Sequence, residues 1–411
     1  MVNFNGYNFI DGGVCAAEGF KAGGVIAGIK AGNTTKRDLA MIVCEKRCKA
    51  AALFTTNKVK GAPIIVSKEH LKDGYAQAVI VNSGNANTCN PDGVEIAEEM
   101  CRLTSEALNI DINDILIGST GVIGQKLNIE AIRKAISPLA SSLAKGNSPL
   151  ACEAIMTTDT RKKEFAVEFE IDGKKCHLGG ISKGSGMINP NMATMLAFIT
   201  TDVAINGELL AKALRKVNSV TYNMVSVDGD TSTNDTLIIM SSELAGNTEI
   251  ICEDKNYEIF ENALYAVMMN LARETARDGE GATKLIECVV NGAPTEAIAK
   301  AVAKSVISSS LVKAALFAAD ANWGRILCAI GYAEGDFDIS KTSVELVSNA
   351  GKLTVCVDGA GIGFSEDEAK KVLSEEEIKI IVELYSGEHS AIAWGCDLTF
   401  DYVKINAEYR T

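Results

Sequence analysis

A hydroxyl that directly follows a small residue, inside a glycine-rich segment, offers the clearest covalent chemistry in this chain. It lies in Lys183 to Phe198, KGSGMINPNMATMLAF, at the Ala193-Thr194 bond. A chain cut just before a threonine gains a hydroxyl nucleophile and a free α-amine, whose unperturbed pKa is about 7.7 to 8.0, so the residue carries its own base. The surroundings suit such a cut. Gly184 and Gly186 permit unusual backbone angles, Pro190 restricts Asn189, and small Ala193 leaves room for the Thr194 hydroxyl to attack the preceding carbonyl. Strain at that bond would favour an acyl shift to oxygen followed by hydrolysis. By composition alone, however, MATMLAF reads as an ordinary buried strand.

Other constellations fail on spacing. KGSG at Lys183 to Gly186 reverses the order of a Walker A loop, and no GxGxxG stands between a strand and a helix. Asp228 and Asp230 in VDGDTSTNDT begin like a calcium loop. Thr233 then occupies the position that needs Gly, and Ile239 the position that needs Glu, so Asx-turn chemistry is the better reading. His70, His177 and His389 lie in no nucleophile context, and there is no GxSxG elbow. His177 falls in a hairpin strand and His389 in a loop beside Ser386 and Gly387; both read as structural or solvated. The 12 cysteines are scattered singly without a CxxC, which suits small apolar core residues in a reducing compartment and no metal site.

The elements that would position a nucleophile are those of an α/β enzyme. The 411 residues are 47% hydrophobic and only 6% aromatic, with 36 Gly against 6 Pro. A net charge of -13 disfavours nucleic acid, since an acidic surface repels a polyanion. The first residues lack a basic signal region, and no uncharged apolar run is long enough for a membrane span, so a cytoplasmic protein is expected. Gly19 to Lys30 reads as strands and turns, and Leu39 to Cys44 and Ala76 to Val81 as buried strands. The latter leads into the NSGNAN loop at Asn82 to Asn87. Residues 92 to 108 and 128 to 145 read as helices, and Ile115 to Ile117 as a strand entering the GSTGVIG turn at Gly118 to Gly124. Phe165 to Gly180 reads as a hairpin turning at Asp172 and Gly173. Leu196 to Ile199 reads as a strand. Leu209 to Val217, Leu264 to Leu271 and the Ala-rich segment 297 to 319 read as helices, and Leu398 to Arg410 as a terminal strand. Strands and helices mix without strict alternation, which indicates a layered α/β fold with mixed sheets.

KGSGMINPNMATMLAFITTD, Lys183 to Asp202, resembles the signature of the ornithine acetyltransferase (glutamate N-acetyltransferase) family of arginine biosynthesis. The likeness runs along the whole chain and in family order. It takes in GFKAGGVIAGIK, FTTNKVKGAP from Phe54, VNSGNAN from Val81, GSTGVIG, MTTDT from Met156, SVDGDTSTNDT from Ser226, GEGATK from Gly279 and YVKINAEYRT at the end. The resemblance implies an αββα sandwich of DmpA type with mixed sheets and a smaller α/β lobe in the C-terminal half, roughly residues 290–390. It implies self-cleavage between Ala193 and Thr194 into an α chain, 1–193, and a β chain, 194–411. Thr194 would take acetyl from N-acetyl-L-ornithine and pass it to glutamate in a ping-pong reaction. No cofactor is implied, although some members use acetyl-CoA as first donor, and the implied assembly is an α2β2 heterotetramer.

Residue by residue, Thr120 and Gly121 match the family's oxyanion-hole pair. Thr157, Lys183, Thr194, Glu280, Asn406 and Thr411 match its substrate-contacting positions. A glycine-rich turn can present an N–H and Thr120 a hydroxyl to a developing oxyanion. Lys183 suits the α-carboxylate common to both acetylated amino acids, or is a solvated loop charge. Glu280 suits the δ-ammonium of ornithine or proton transfer at the leaving amine, or caps a helix. One departure is local: Arg161, Lys162 and Lys163 follow MTTDT where the family commonly has a Pro-Lys pair. The alternative reading is an N-terminal-nucleophile aminopeptidase or amidohydrolase that passes the acyl group to water.

Overall fold

The computed structural model describes residues 1–189 and 195–408. These form two compact units: residues 1–184, 195–222 and 231–271 in the first, and 185–189, 223–230 and 272–408 in the second. The chain is mixed α/β with two mixed sheets. The expected boundary at Ala193-Thr194 lies outside the described residues.

The first unit holds a nine-stranded sheet, ordered Asn8–Ile10, Lys163–Ile171, Lys174–Lys183, Leu196–Thr201, Thr236–Ser241, Leu39–Phe54, Tyr75–Asn82 and Ile115–Ser119, with Phe20–Val25 also pairing to Leu39–Phe54. Two pairings are parallel, Leu196–Thr201 with Thr236–Ser241 and Tyr75–Asn82 with Ile115–Ser119. The AVIV run is apolar on both faces because both are covered. Val79 and Val81 join a cluster with Ala151, Cys152 and Ile155 of the Ser148–Ile155 helix. Ala78 and Ile80 join another, with Ala97, Met100 and Cys101 of Gly93–Leu108 and Ile132 and Leu139 of Ile129–Ser141. The Lys163–Ile171 and Lys174–Lys183 hairpin turns at Asp172 (φ 52°) and Gly173 (φ 71°), the left-handed pair that an Asp-Gly turn requires.

The second unit holds a seven-stranded sheet, ordered Ala360–Gly361, Gly351–Val357, Ser343–Ser348, Glu377–Glu383, Leu285–Ala293, His389–Cys396 and Val225–Ser226. The Glu296–Ser308 helix packs on it through Ala299, Val302, Ala303, Val306 and Ile307, the spacing of one helical face.

Three expectations need correction. The Ala-rich segment is two helices, Glu296–Ser308 and Ser310–Phe317, parted by Ser309 in an extended conformation (ψ 112°); its side chain caps the second helix at Val312 N–H. Over the described residues, the strand expected from Leu398 to Arg410 is instead a helix, Phe400–Ala407. Val403 and Ile405 alternate as in a strand, but the half-buried residues are Tyr402 and Ile405, three apart as on a helical face, whereas Val403 is 66% exposed. His389 is not in a loop but begins the His389–Cys396 strand.

Candidate active site

The parallel strands Tyr75–Asn82 and Ile115–Ser119 end in register, Asn82 opposite Ser119, so the loops that follow leave the sheet side by side. They are tied together by neutral amides. Asn82 Nδ2 donates to Ser119 Oγ (2.7 Å), its Oδ1 accepts from Gly84 and Asn85 N–H, and Thr120 N–H donates to the Asn82 carbonyl (2.9 Å). Ala86 N–H reaches the Val122 carbonyl at 3.1 Å. Gly121 has φ +130°, and a Cβ there would lie 2.8 Å from Asn85 N, so only glycine allows the two backbones to approach this closely. Asn234 completes the frame. Its Oδ1 accepts from the Thr88 and Thr233 hydroxyls (2.6 Å each), and its Nδ2 donates to the Ala86 (2.6 Å) and Ser119 (3.0 Å) carbonyls. Thr120 and Gly121 therefore sit half-buried on a backbone braced from three sides.

Lys183 ends its strand buried, 7% exposed, and its Nζ donates to Thr120 Oγ1 at 3.5 Å. A cation and the first proposed oxyanion donor are thus neighbours. Thr157 is fixed through its backbone: its N–H donates to Asp159 Oδ2 (3.0 Å) and its carbonyl accepts from Lys36 Nζ. Asp159 also accepts at Oδ1 from Gly184 N–H (2.7 Å) and from Lys163 Nζ (2.8 Å), with both side chains of that ion pair fully buried. Burial would push the Asp159 carboxyl up, but the ammonium groups of Lys163 and Lys183 outweigh it and hold the group well below the usual carboxylate range. Of the three residues that stand where the family commonly has a Pro-Lys pair, Arg161 and Lys162 are exposed and Lys163 is in the interior.

Within the second unit the structure brings together Glu280 and Asn406. Asn406 Nδ2 donates to Glu280 Oε2 at 2.8 Å and also to the Tyr402 carbonyl one helical turn back. Glu280 is buried, its N–H bonds the Ser185 carbonyl (2.9 Å), and a Cβ at Gly186 would fall 2.4 Å from its carboxylate. Glu280 is not a helix cap: it stands in the turn between helix Lys255–Arg277 and strand Leu285–Ala293. Asp397 positions that turn, accepting from Thr283 N–H (2.8 Å), Lys284 N–H (2.9 Å) and the Thr283 hydroxyl (2.5 Å). Gly281 (φ +68°) lets the Phe400–Ala407 helix approach, since a Cβ would meet Tyr402 N at 2.7 Å.

Ahead of the expected cleavage bond, Asp228 accepts from Met187 N–H (2.6 Å) and Ile188 N–H (2.8 Å), while also making the expected Asx turn with Asp230 N–H (3.2 Å). Lys304 Nζ donates to Asn189 Oδ1 (3.0 Å), its pKa pushed down to about 8 by burial. Ala193, Thr194 and Thr411 lie outside the described residues. Met195, next along, is buried, and its carbonyl accepts from Thr236 N–H (2.9 Å). Among the described residues no cluster of His, Cys, Asp and Glu could hold a metal ion. His177 is bonded to Asp202 (2.7 Å) and His70 to the Ile115 carbonyl (2.8 Å), both structural contacts.

Residues 21–411 match the model of the ArgJ family. The chain belongs to the ArgJ family. Every candidate residue named above falls inside that match. An arginine biosynthesis bifunctional protein ArgJ from Caldanaerobacter subterraneus is 49% identical over 98% of this chain and 99% of its own length. A glutamate N-acetyltransferase from Methanocaldococcus jannaschii is 45% identical over 98% and 99%. Among solved structures, an ornithine acetyltransferase from Mycobacterium tuberculosis complexed with ornithine is 34% identical, with a TM-score of 0.42 over 46% of this chain and 100% of that one.

Asp159, Asn234, Lys304 and Asp397 were not singled out from the sequence. Asp159 lies inside MTTDT and Asn234 inside VDGDTSTNDT, so the blocks held the signal; the partners they bind, up to 148 residues away in sequence, did not show.

Proposed function

We propose that this ArgJ family protein transfers the acetyl group of N2-acetyl-L-ornithine to L-glutamate through an acetyl-Thr194 intermediate. In this reading the chain first cuts itself between Ala193 and Thr194. The Thr194 hydroxyl then attacks the acetyl carbonyl, its proton passing to the new α-amine, and the tetrahedral oxyanion is held by the Thr120 hydroxyl and Gly121 N–H. The C–N bond breaks and ornithine leaves with the proton; the α-amine of glutamate then attacks acetyl-Thr194, the acetyl C–O bond to Thr194 breaks, and the amine's proton passes by way of the Thr194 α-amine to the Thr194 oxygen, giving N-acetyl-L-glutamate and a free hydroxyl. Lys183 takes the α-carboxylate of either amino acid. Glu280, steadied by Asn406, faces the δ-ammonium of ornithine or moves the proton at the leaving amine. Thr157 and Thr411 complete the substrate contacts.

One observation carries this reading: the Lys183 ammonium, 3.5 Å from the Thr120 hydroxyl, sets a carboxylate-binding cation beside an oxyanion donor. Sheet register supports self-cleavage without loss of the fold. Leu196, two residues after Thr194, pairs with Lys183 on one side and Thr236 on the other, so a severed β chain stays locked between strands of the sheet. The same register favours α and β chains that remain associated, and we extend the reading to an α2β2 assembly. Acetyl-CoA as an alternative first donor and a cytoplasmic setting belong to it as well; the 12 free cysteines suit a reducing compartment, and no helix among the described residues is long and apolar enough to cross a membrane.

The test is product analysis. Incubation with N-acetylornithine and glutamate is expected to yield N-acetylglutamate and ornithine, from protein that runs as two fragments on a denaturing gel. Release of free acetate with no N-acetylglutamate would identify an amidohydrolase instead. A Thr194→Ala chain is expected to stay intact and inactive.

A further inference from the structure

We infer that Asp159 is the positioning residue that makes the site selective for substrates bearing an α-carboxylate, acting through Lys183 and Thr157. This rests on the reading of Lys183 given above. The geometry is specific. One buried carboxylate accepts from Thr157 N–H at 3.0 Å and from Gly184 N–H at 2.7 Å, tying Thr157 to the backbone that follows Lys183. Its anchor on Gly184 fixes the backbone immediately after Lys183, whose ammonium must otherwise be held by a side chain with four rotatable bonds.

Charge adds a second reason. Asp159 and Lys163 form a fully buried pair at 2.8 Å, so the carboxylate is largely neutralised by Lys163. Together with Lys183 the three groups carry one net positive charge, matched to one substrate carboxylate. Without Asp159, the fully buried Lys163 ammonium loses the counter-charge that the ion pair supplies, at the strand start that lies four residues along from Asp159. Both oxygens of Asp159 are committed to donors in the protein, so it touches no substrate.

The experiment compares wild type, Asp159→Asn, and Asp159→Asn combined with Lys163→Met, which removes the buried charges together and so protects folding. Each is assayed with N2-acetylornithine and with its decarboxylated analogue, N-acetyl-1,4-diaminobutane, glutamate being the acceptor. For N2-acetylornithine and for glutamate, KM is expected to rise about tenfold or more in both variants while kcat stays within about threefold. For the analogue, which has no α-carboxylate to place, kcat/KM is expected to change by less than about twofold. Wild-type KM values in a folded variant overturn the inference. So does an equal loss for substrate and analogue, or a double variant that fails to fold, since either makes Asp159 a structural residue only. A wild type that forms no N-acetylglutamate overturns the proposed function and this inference with it; an active wild type with no substrate-analogue split overturns this inference alone.

Discussion

The two sets of candidate residues are braced by different chemistry. Around Thr120 and Gly121 the brace is neutral: the amides of Asn82, Asn85 and Asn234 bond backbone groups and hydroxyls, and the Lys183 ammonium reaches the Thr120 hydroxyl. Around Glu280 the brace is anionic, with Asp397 holding the GEGATK turn and Asp228 the segment from Met187. Under the proposed function the difference matches what each set would face. An oxyanion and an α-carboxylate need donors with no competing negative charge, because a nearby carboxylate would raise the energy of the very charge being stabilised. An amine needs acceptors. Asp159, the carboxylate that does lie near the first set, is offset by Lys163.

Removing a donor from the neutral set should have the largest effect. Thr120→Ala is expected to lower kcat for acetyl transfer about a hundred to a thousandfold with little change in KM, read by steady-state kinetics. Equal losses in kcat and substrate affinity would argue that Thr120 binds ground-state substrate and would blur the contrast.

The anionic set is tested by Glu280→Gln. If Glu280 faces the δ-ammonium, the half-reaction with N-acetylornithine should lose about ten to a hundredfold in kcat/KM and the glutamate half-reaction much less, since glutamate carries no such cation. A similar loss in both halves would assign proton transfer instead.

Asn234→Ala tests the neutral brace itself. Four hydrogen bonds of a buried amide are lost together, and the carbonyls of Ala86 and Ser119 are left without that donor. A destabilisation of about 2 to 3 kcal/mol is expected, measured by chemical denaturation. A variant as stable as wild type would mean that the loops hold their shape without it.

The smallest effect is expected outside both sets, at His177. Its bond to Asp202 holds the imidazole pKa above its usual value, against the opposing effect of burial. A group with a raised folded pKa stabilises fully below the unfolded value of about 6.5 and loses that contribution as pH rises through the folded value. Wild type should therefore exceed His177→Gln in stability by about 1 kcal/mol near pH 6, with the gap closing in alkaline buffer. A gap that does not change with pH would remove the ionic contribution.

Much of this was legible in the chain. Strand length runs such as AVIV, the Asp172-Gly173 turn and the helical stripe of residues 92 to 108 were readable because backbone periodicity and turn chemistry are local. The errors came where one pattern suits two periods. YVKIN alternates like a strand, but Tyr402 and Ile405 share a helical face, and only packing chose between them. Likewise the Ala-rich segment is broken at its serine run, Ser308 to Ser310, where Ser309 serves as the cap of the second helix.

The sequence by itself determined the chemical parts: the ordered family blocks, the Ala193-Thr194 bond, a hydroxyl and glycine at Thr120 and Gly121, a lysine at position 183 and a carboxylate at 280. Tertiary structure decided how the described parts are held. Asp159 meets Gly184, Asn234 meets Ala86 and Asp397 meets Thr283 across 25, 148 and 114 residues. Hydrogen bonds depend on distances of a few ångströms, and chain separation carries no record of them until the strands have paired.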